Sequence, residues 1–354
     1  MSRLLWVLFC IALCHAKGHA KGLAEGYAEE SEKVAIRVGH FPNITHAQAM
    51  IGHQLSRQGK GWFEERLGPG VEIQWFVYNA GPSSMEAILT DTIDMTYVGP
   101  SPTINAYIKS DGDDIRILCG ACSGGAALVV QPDGRIKVDS DFKGKKIGTP
   151  QFGNTQDIAA RAWLRSLGLN ITKTGGDAFV IPTDSPDQIL LFKQGELDAV
   201  WTIEPWVSRL VLGANGKVYF EESALWQQTL GKYVTVHLVS SKKFLDSQAK
   251  LIKKWIRAEL ELTEWIKAHP EEAKGLIVLE FKKETNLSLE KEVLDRAWTH
   301  VEFTYDPIRA SLLKYADDAY RLGFLKQKPV LKDLYQLTLL NEVLKEMGKD
   351  TVSE

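Results

Sequence analysis

Short apolar runs alternate with amphipathic stretches along the first two thirds of the chain. Val71, Ile73, Trp75 and Val77 recur at every second position, as in a half-buried strand. The predicted strands are Val34–Val38, Val71–Val77, Met95–Val98, Ile115–Leu118, Ala126–Val130, Lys146–Gly148, Phe179–Ile181, Ala199–Ile203 and Val234–Val239. The predicted helices between them are His46–Gln58, Ser83–Thr90, Thr155–Leu167 and Pro186–Gln194. This alternation predicts an α/β fold with mostly parallel sheets.

Beyond about residue 243 the pattern becomes helical throughout. Two apolar stripes have the spacing of a helix face, namely Leu251, Trp255, Ala258, Leu262 and Trp265, and then Leu331, Leu334, Leu337, Leu340, Leu344 and Met347. Such stripes are typical of faces packed on a core, so we assign them no chemistry.

One pattern occurs twice in the chain. A strand, a loop, a helix, a second strand and a proline-containing turn follow one another in both copies. Equivalent positions lie 104 residues apart, at Val77 and Ile181, Ile93 and Leu197, Asp94 and Asp198, and Tyr97 and Trp201. Any two βαβ units share some likeness, but four matched positions favour two similar lobes that face each other.

Composition narrows the class of protein. A length of 354 residues suggests about two domains, and 44% hydrophobic with 25% charged residues is typical of a globular protein. The formal charge of −3, from 42 basic and 45 acidic residues, argues against a nucleic-acid binder and against a polybasic membrane-surface protein.

The N-terminus reads as an export signal. Arg3 precedes about eleven apolar residues from Leu4 to Cys14, a run too short to span a bilayer. Cys14 and Ala16 place small residues at positions −3 and −1, which predicts cleavage after Ala16 and makes residues 1–16 a signal peptide; lipidation at Cys14 is the competing interpretation. Residues 17–33 are small, charged and glycine-rich, which predicts a flexible tether. We expect a periplasmic or otherwise extracytoplasmic protein that touches a membrane only through such a lipid anchor.

Two further cysteines, Cys119 and Cys122, form a CxxC pattern. No second CxxC or nearby histidine pair completes a zinc site. We expect two structural thiols or a short local disulfide, with a redox role as the less favoured alternative.

Polar and glycine residues follow several predicted strands directly before helices. Thr45, the pair Ser83 and Ser84, and the segment 149–156 have the residue types of helix N-caps. In open parallel sheets the carboxyl ends of the strands meet at one edge, where ligands bind. Several helix N-termini at that edge would attract an anion without Lys or Arg. His46, in the first of these turns, is a candidate donor to such a ligand.

Familiar catalytic patterns are missing from the sequence. It has no GxxxxGK[ST] loop, no GxGxxG and no GxSxG. His46 and His53 are seven residues apart, two helical turns, which makes a poor metal pair. Glu204, at a strand end, is a candidate to orient a ligand amine or to fix a hinge. We expect no catalytic residue, no metal and no cofactor.

The residues at these positions resemble the solute-binding proteins of ABC importers for nitrate, taurine and aliphatic sulfonates. The matching stretches are residues 38–43, 81–89, 94–102, 124–130, 142–148, 195–199 and 204–206. The resemblance implies a two-lobed type II periplasmic-binding fold, in which each lobe is a mixed, mostly parallel sheet flanked by helices and the C-terminal segment is helical. It implies that residues 34–125 and 235–354 form lobe 1 and residues 126–234 form lobe 2, with chain crossings near Ala126–Val130 and Val234–Val239.

The resemblance also implies a function and a set of residues. The chain would capture a small anionic solute in the interlobe cleft by hinge closure and deliver it, as a monomer, to the membrane permease subunits of an importer. The cleft-lining positions carried over are Asn43, His46, Ser83, Ser84, Ser101, Gly125, Gln151, Asn154, Thr155, Glu204 and Trp206.

Two alternatives use a similar fold. One is a binding protein for a thiamine-precursor pyrimidine or another heteroaromatic ligand, which would stack on Phe41, Tyr97 or Trp206. The other is an enzyme like the pyrimidine synthases, which need a cysteine-rich motif and a His–Lys pair. For the cysteine-rich motif the sequence offers only Cys119 and Cys122. Its export signal also disfavours an enzyme of cytosolic biosynthesis.

Overall fold

The computed structural model describes residues 33–353, so the predicted signal peptide and, apart from Lys33, the predicted tether lie outside the described residues. The strands are β1 Val34–His40, β2 Val71–Val77, β3 Met95–Val98, β4 Ile115–Gly124, β5 Ala126–Val130, β6 Lys146–Thr149, β7 Phe179–Pro182, β8 Ala199–Ile203, β9 Lys217–Glu221, β10 Val234–Ser241 and β11 Val301–Phe303. The α-helices are α1 Ala47–Arg57, α2 Trp62–Leu67, α3 Gly81–Leu89, α4 Pro100–Lys109, α5 Thr155–Ser166, α6 Ser185–Lys193, α7 Trp206–Ala214, α8 Lys242–Ala268, α9 Pro270–Thr285, α10 Lys291–Trp298, α11 Arg309–Arg321 and α12 Thr338–Glu346.

All nine predicted strands are present, and four of them have the predicted bounds. Two expected turns are instead helix starts, because α4 begins at Pro100 and α7 begins directly after Pro205. Proline has no N–H to lose in the first turn of a helix, so it begins helices as readily as it makes turns. The short strands β9 and β11 carry no strong sequence pattern and were not predicted.

The strands form two mixed sheets with the same internal plan. The first sheet has the order β11-β4-β10-β3-β1-β2, and the second has the order β7-β6-β8-β5-β9. In the first, β1 is parallel to β2 and β3, and β10 is antiparallel to β3; in the second, β6 is parallel to β7 and β8, and β5 is antiparallel to β8. The repeat seen in the sequence is therefore β2–α3–β3 in one sheet and β7–α6–β8 in the other.

Each sheet is parallel only in its three-stranded part. The strands β4, β10 and β11 of the first sheet, and β5 and β9 of the second, pair with their neighbouring strands only in antiparallel fashion. The sheets are therefore mixed, and the expectation of mostly parallel strand pairs was too high. We call the half of the molecule built on the first sheet the first lobe and the half built on the second sheet the second lobe.

The chain passes between the sheets twice. It leaves β4 through Gly124 and Gly125, both at φ +80°, a left-handed conformation that favours glycine. It returns between the end of β9 and Val234. Tyr233 and Thr235, on the return, tie the two passages together: the Tyr233 hydroxyl accepts the Ala126 N–H at 3.0 Å, and the Thr235 hydroxyl donates to the Gly124 carbonyl at 2.5 Å.

After β10 the described chain consists of the helices α8 to α12 and their connections, together with segments whose backbone pairs with β4. There β11 adds an antiparallel strand, which corrects the expectation of helix throughout. The second apolar stripe, Leu331 to Met347, is helical only from Thr338, because the backbone before it bonds to β4 instead. The Ile117 N–H donates to the Leu334 carbonyl, and the Gln336 N–H donates to the Ile117 carbonyl. All its leucines are buried nonetheless.

The larger of the hydrophobic cores contains the predicted tryptophan stripe. Trp255 is fully buried and stacks on Phe63 with ring centroids 4.1 Å apart, while Trp265 is partly buried at the edge of the core. Among residues 33–353, no helix is both long and apolar enough to cross a bilayer.

Candidate functional site

A small cavity lies between the lobes, at the carboxyl ends of the parallel strands. Its volume is about 20 Å³, close to what one water molecule requires. Both lobes line it, the first with Phe41, Asn43, His46, Asn79, Ala80, Gly99, Thr235 and Val236, and the second with Pro150, Asn154, Thr155, Gln156, Ser185 and Ile203. None of these residues is Asp, Glu, Lys or Arg, so any charge in the cavity comes from the backbone or from a ligand.

Four α-helices begin at this cavity. Ala80, Gly99 and Asn154, the N-caps of α3, α4 and α5, line it, as does Ser185, the first residue of α6. None of the four N-cap side chains bonds to its own helix. The termini therefore present backbone N–H groups and partial positive charge, although the Ser101 N–H of α4 bonds to the Thr155 hydroxyl and acidic residues lie at the starts of α5 and α6. The arrangement can therefore hold an anion by backbone donors alone.

His46 adds an unpaired ring nitrogen to the cavity. Its ring is buried and packs on Phe41 with centroids 4.4 Å apart. Burial lowers the pKa of His46 well below its usual range, so the ring is neutral at physiological pH. Its Nδ1 atom is buried without a hydrogen-bond partner among the described residues. This nitrogen is free to bond to a ligand.

Hydrogen bonds of the cavity-lining residues Asn43, Thr155 and Asn79 join the two lobes. The Trp206 indole N–H donates to Asn43 Oδ1 at 2.8 Å, and the Ser101 N–H donates to the Thr155 hydroxyl at 3.3 Å. The Asn79 amide donates to Asp184 at 3.4 Å. These bonds form only when the lobes are together, so the structure shows the closed arrangement.

Glu204 lies beside the chain crossing and not in the cavity. Its N–H donates to the Gly125 carbonyl at 2.8 Å. Its carboxylate accepts from the Ser208 N–H and hydroxyl and from Arg296, each at 3.0 Å. Burial raises the pKa of Glu204 to about 7, against the opposing effects of Ser208 and Arg296. Of the two roles expected from the sequence, these contacts favour fixing the hinge.

The structure separates the predicted site residues into groups. Asn43, His46, Asn154 and Thr155 line the cavity. Ser101 and Trp206 join the lobes across the cleft, and Gly125 and Glu204 lie at the crossing. Thr45 does not cap a helix, because α1 begins only at Ala47 after a short 3-10 turn.

The predicted positions of Ser83 and Ser84, at a helix N-cap and in the cleft, are wrong. They lie inside α3, which begins two residues earlier at Gly81, with Pro82 in its first turn. Their hydroxyls donate to the Ala80 and Gly81 carbonyls at 2.9 and 3.0 Å, and neither residue lines the small cavity. Gln151 lies with Ser83 around a separate cavity of about 330 Å³.

Other cavity residues were missed by the sequence analysis. Gly99 and Ser185 come directly before Pro100 and Pro186, and a proline at the first turn would have marked both helix starts. The lining residue Thr235 comes from the returning chain, and no local pattern announces it.

Two predictions about other groups are settled by burial. Cys119 and Cys122 are free and buried, and burial raises the pKa of both thiols, which agrees with structural thiols. Tyr97 is fully buried and its hydroxyl donates to Glu259 at 2.5 Å in the first-lobe core, so Tyr97 cannot stack on a ligand in the cleft.

Known proteins share both the sequence pattern and the fold. A family model described as the NMT1-like family matches residues 29–279. A putative aliphatic sulfonates-binding protein of Bacillus subtilis (strain 168) is 25% identical over 302 residues, which cover 84% of this chain and 87% of that protein.

Solved structures confirm the two-lobed α/β fold expected from the sequence. The alkanesulfonate-binding protein of Xanthomonas axonopodis pv. citri, bound to MOPS, superposes with a TM-score of 0.68 at 18% identity, over 87% of this chain and all of that one (100%). The periplasmic nitrate-binding protein of Synechocystis PCC 6803 superposes with a TM-score of 0.70 at 14% identity, over 90% and 89% of the two chains.

Proposed function

We infer the function of this chain from the premise that it belongs to the NMT1-like family. We propose that it is the extracytoplasmic solute-binding component of an ABC importer and that it captures a small anion, an aliphatic sulfonate, taurine or nitrate, between its lobes. The relatives named for sulfonate and nitrate binding support this class of ligand.

One observation carries the proposal. Four uncapped helix N-termini, two from each lobe, meet at a cavity lined by no acidic side chain among the described residues. A cation would be repelled by these termini, and a neutral ligand would leave their charge uncompensated. An anion compensates it and accepts hydrogen bonds from N–H groups of both lobes at once.

The space around the cavity suggests how an organic anion would lie. A second cavity of about 300 Å³ shares Asn43, Asn79 and Ser185 with the first, reaches Trp206 and Thr285, and is also lined by Asp184, Asp187 and Glu284. We propose that the anionic head binds at the helix termini while an aliphatic tail extends toward Trp206. Nitrate would occupy only the head position.

The remaining parts of the proposal follow from the fold. The lobes would be residues 34–125 with 235–354, and residues 126–234, and the crossings at Gly124–Gly125 and Tyr233–Thr235 would act as the hinge. The closed monomer would dock on membrane permease subunits after export, free or held by a lipid at Cys14. We propose binding and not catalysis, because the carboxylate of Glu204 is occupied by Ser208 and Arg296.

The proposal is tested by calorimetry with taurine, short alkanesulfonates, nitrate and bicarbonate. We expect micromolar binding of at least one anion. Thr155→Val keeps the shape of the side chain but removes its hydroxyl from the cavity, and it should weaken binding by about 5- to 30-fold, the cost of one or two hydrogen bonds. Ser84→Ala is the matched control, since that hydroxyl lies outside the cavity, and it should bind as the unmodified chain does. Absence of heat with every anion would overturn the proposal.

The heteroaromatic alternative rests on Phe41, which lines the cavity, and on Trp206 in the adjoining space. Quenching of tryptophan fluorescence by an aminopyrimidine, but not by sulfonates, would replace the anion proposal with this one.

A further inference from the structure

Three potential metal ligands meet inside the first lobe, behind the cleft. His40 lies at the end of β1, His53 lies on α1 and Glu280 lies on α9. Their ligand atoms all lie within 4.8 Å of one another. His40 and Glu280 are fully buried and His53 is 8% exposed. We propose that these side chains form a binding site for a divalent transition-metal ion, with zinc as the best match to two imidazoles and one carboxylate.

The distances suit a shared ion. His40 Nε2 lies 3.0 Å from His53 Nδ1, which lies 2.6 Å from Glu280 Oε1, and Glu280 Oε1 lies 4.0 Å from His40 Nε2. Ligand atoms bound tetrahedrally at zinc–nitrogen and zinc–oxygen lengths of about 2.0–2.1 Å lie about 3.3 Å apart. Shifts of a few tenths of an ångström would place an ion at bonding distance from all three, with a fourth position left for water.

The three side chains cannot all satisfy one another by hydrogen bonds. His40 Nδ1 faces the Phe41 carbonyl at 3.4 Å, and a carbonyl only accepts, so Nδ1 carries the proton and Nε2 presents a lone pair. His53 Nδ1 therefore faces two acceptors with one proton. No hydrogen bond of acceptable geometry reaches Glu280 Oε1, although His53 Nδ1 is only 2.6 Å away. With the single proton of His53 moved to its Nε2, a metal ion would be bound by lone pairs on His40 Nε2, His53 Nδ1 and Glu280 Oε1.

The surroundings complete the arrangement expected of such a site. A histidine ligand commonly donates its other ring N–H to a backbone carbonyl, as His40 does to Phe41. Arg57 contacts Oε2 of Glu280 at 3.2 Å, which leaves Oε1 to face the histidines. Arg57 is itself held by an ion pair with Glu284. The Trp75 ring stacks on His53 at 5.4 Å and meets His40 edge-on at 5.7 Å, so it shields the site.

The position suggests what the ion would do. It would cross-link β1 and α1 to α9, elements far apart in sequence. His40 is followed by Phe41 and Asn43, which line the anion cavity. The ion would therefore hold one wall of the cleft on the first-lobe core. This site does not depend on the proposed ligand, so failure of the anion assay would leave it standing.

The test uses the full chain without a histidine tag, stripped with EDTA and titrated with ZnCl₂ by calorimetry. We expect one equivalent to bind and the melting temperature to rise. His53→Gln and Glu280→Gln should each weaken zinc binding by about 100-fold or more, since loss of a ligand exceeds the 10- to 100-fold typical of outer contacts. His237→Gln is the control, because it replaces an equally buried histidine that bonds only to the Pro307 carbonyl.

A measurement on the unmodified chain covers the case in which a variant fails to fold. X-ray absorption of the zinc-loaded protein should show two imidazole nitrogens and one carboxylate oxygen at about 2.0–2.2 Å. Sulfur scatterers at about 2.3 Å, unchanged affinity in the two variants, or no saturable binding would each overturn the proposal, the first by assigning the ion to the cysteines.

Discussion

Gly99 offers the sharpest test of closure between the lobes. It is the N-cap of α4, lines the small interlobe cavity and has φ −74° and ψ 164°, angles that alanine adopts freely. A Cβ atom there would lie 2.7 Å from the hydroxyl oxygen of Thr155, which belongs to the other lobe. The added methyl of Gly99→Ala would therefore act as a wedge that obstructs only the closed arrangement.

The magnitude follows from the contact. A methyl group forced into a packed site costs about 1–3 kcal/mol. Since the proposed mode of binding requires closure, this cost should appear in the affinity, as a loss of about 5- to 150-fold. The open form has no such contact, so the free energy of unfolding of the ligand-free protein should fall only by the roughly 1 kcal/mol that alanine costs at an N-cap.

Calorimetry with the tightest-binding anion and urea denaturation without ligand measure the two quantities. Gly213→Ala is the control: the same methyl is added inside α7, with nothing within 4 Å of its Cβ. Its affinity should be unchanged. If Gly99→Ala bound the anion as tightly as the control, the lobes would not close against Thr155 and the proposed site would be wrong.

Three further predictions concern separate parts of the molecule. Trp206→Phe keeps an aromatic ring but leaves Asn43 Oδ1 without its indole donor in the closed form, so anion affinity should fall by about 2- to 10-fold, whereas Trp163→Phe in the second-lobe core should leave it unchanged. Burial lowers the pKa of His237 to about 4, whereas the pKa of a histidine in the unfolded chain is about 6.5. Between these two values the unfolded chain binds a proton at His237 and the folded chain does not, so acidification favours unfolding. The free energy of unfolding should therefore drop on acidification from pH 7 to 5 by on the order of 2 kcal/mol more in the unmodified chain than in His237→Gln, while exposed His269→Gln should follow the unmodified chain; parallel pH profiles would contradict this. Cys119 and Cys122 are buried thiols of raised pKa, so a thiol reagent should label neither in the native protein and both in urea, and rapid native labelling would refute the burial.

The fold was predictable from the sequence where one local pattern decides the structure. Strands such as β2 and β8 are buried or half-buried runs of β-favouring residues, and period-2 or continuous apolar patterns identify them directly. Residues 331–337 show the limit. Their leucine spacing is helical, but the backbone around Leu334 and Gln336 gains more by pairing with β4, and only the tertiary structure reveals that partner.

The place of the cavity was predictable, but not every residue that lines it. Helix starts after strand ends predicted an anion site, which stays a proposal, and Asn154 and Thr155 from those helix starts line the interlobe cavity. The sequence pattern favoured hydroxyl side chains as the donors to a ligand. In the structure the N-cap side chains of α3 and α5 make no bond to their helices, so backbone N–H groups are the donors on offer. Ser83 and Ser84 satisfy their own helix instead. Glu280 lies more than two hundred residues from His53, so no local spacing could place it beside the histidines.

The uncapped helix termini also explain why a ligand should be needed for closure. In the closed form, α3 and α4 from one lobe and α5 and α6 from the other begin around a cavity of about 20 Å³. Closing without an anion brings four helix N-termini together and removes water from those of their backbone N–H groups that have no hydrogen-bond partner, and both effects are unfavourable. An anion reverses both effects, and it does so only when all four termini reach it. Its affinity for the closed form therefore exceeds that for the open form, which is the condition for a ligand to drive the change. A neutral molecule of the same shape lacks that difference and should leave the lobes apart.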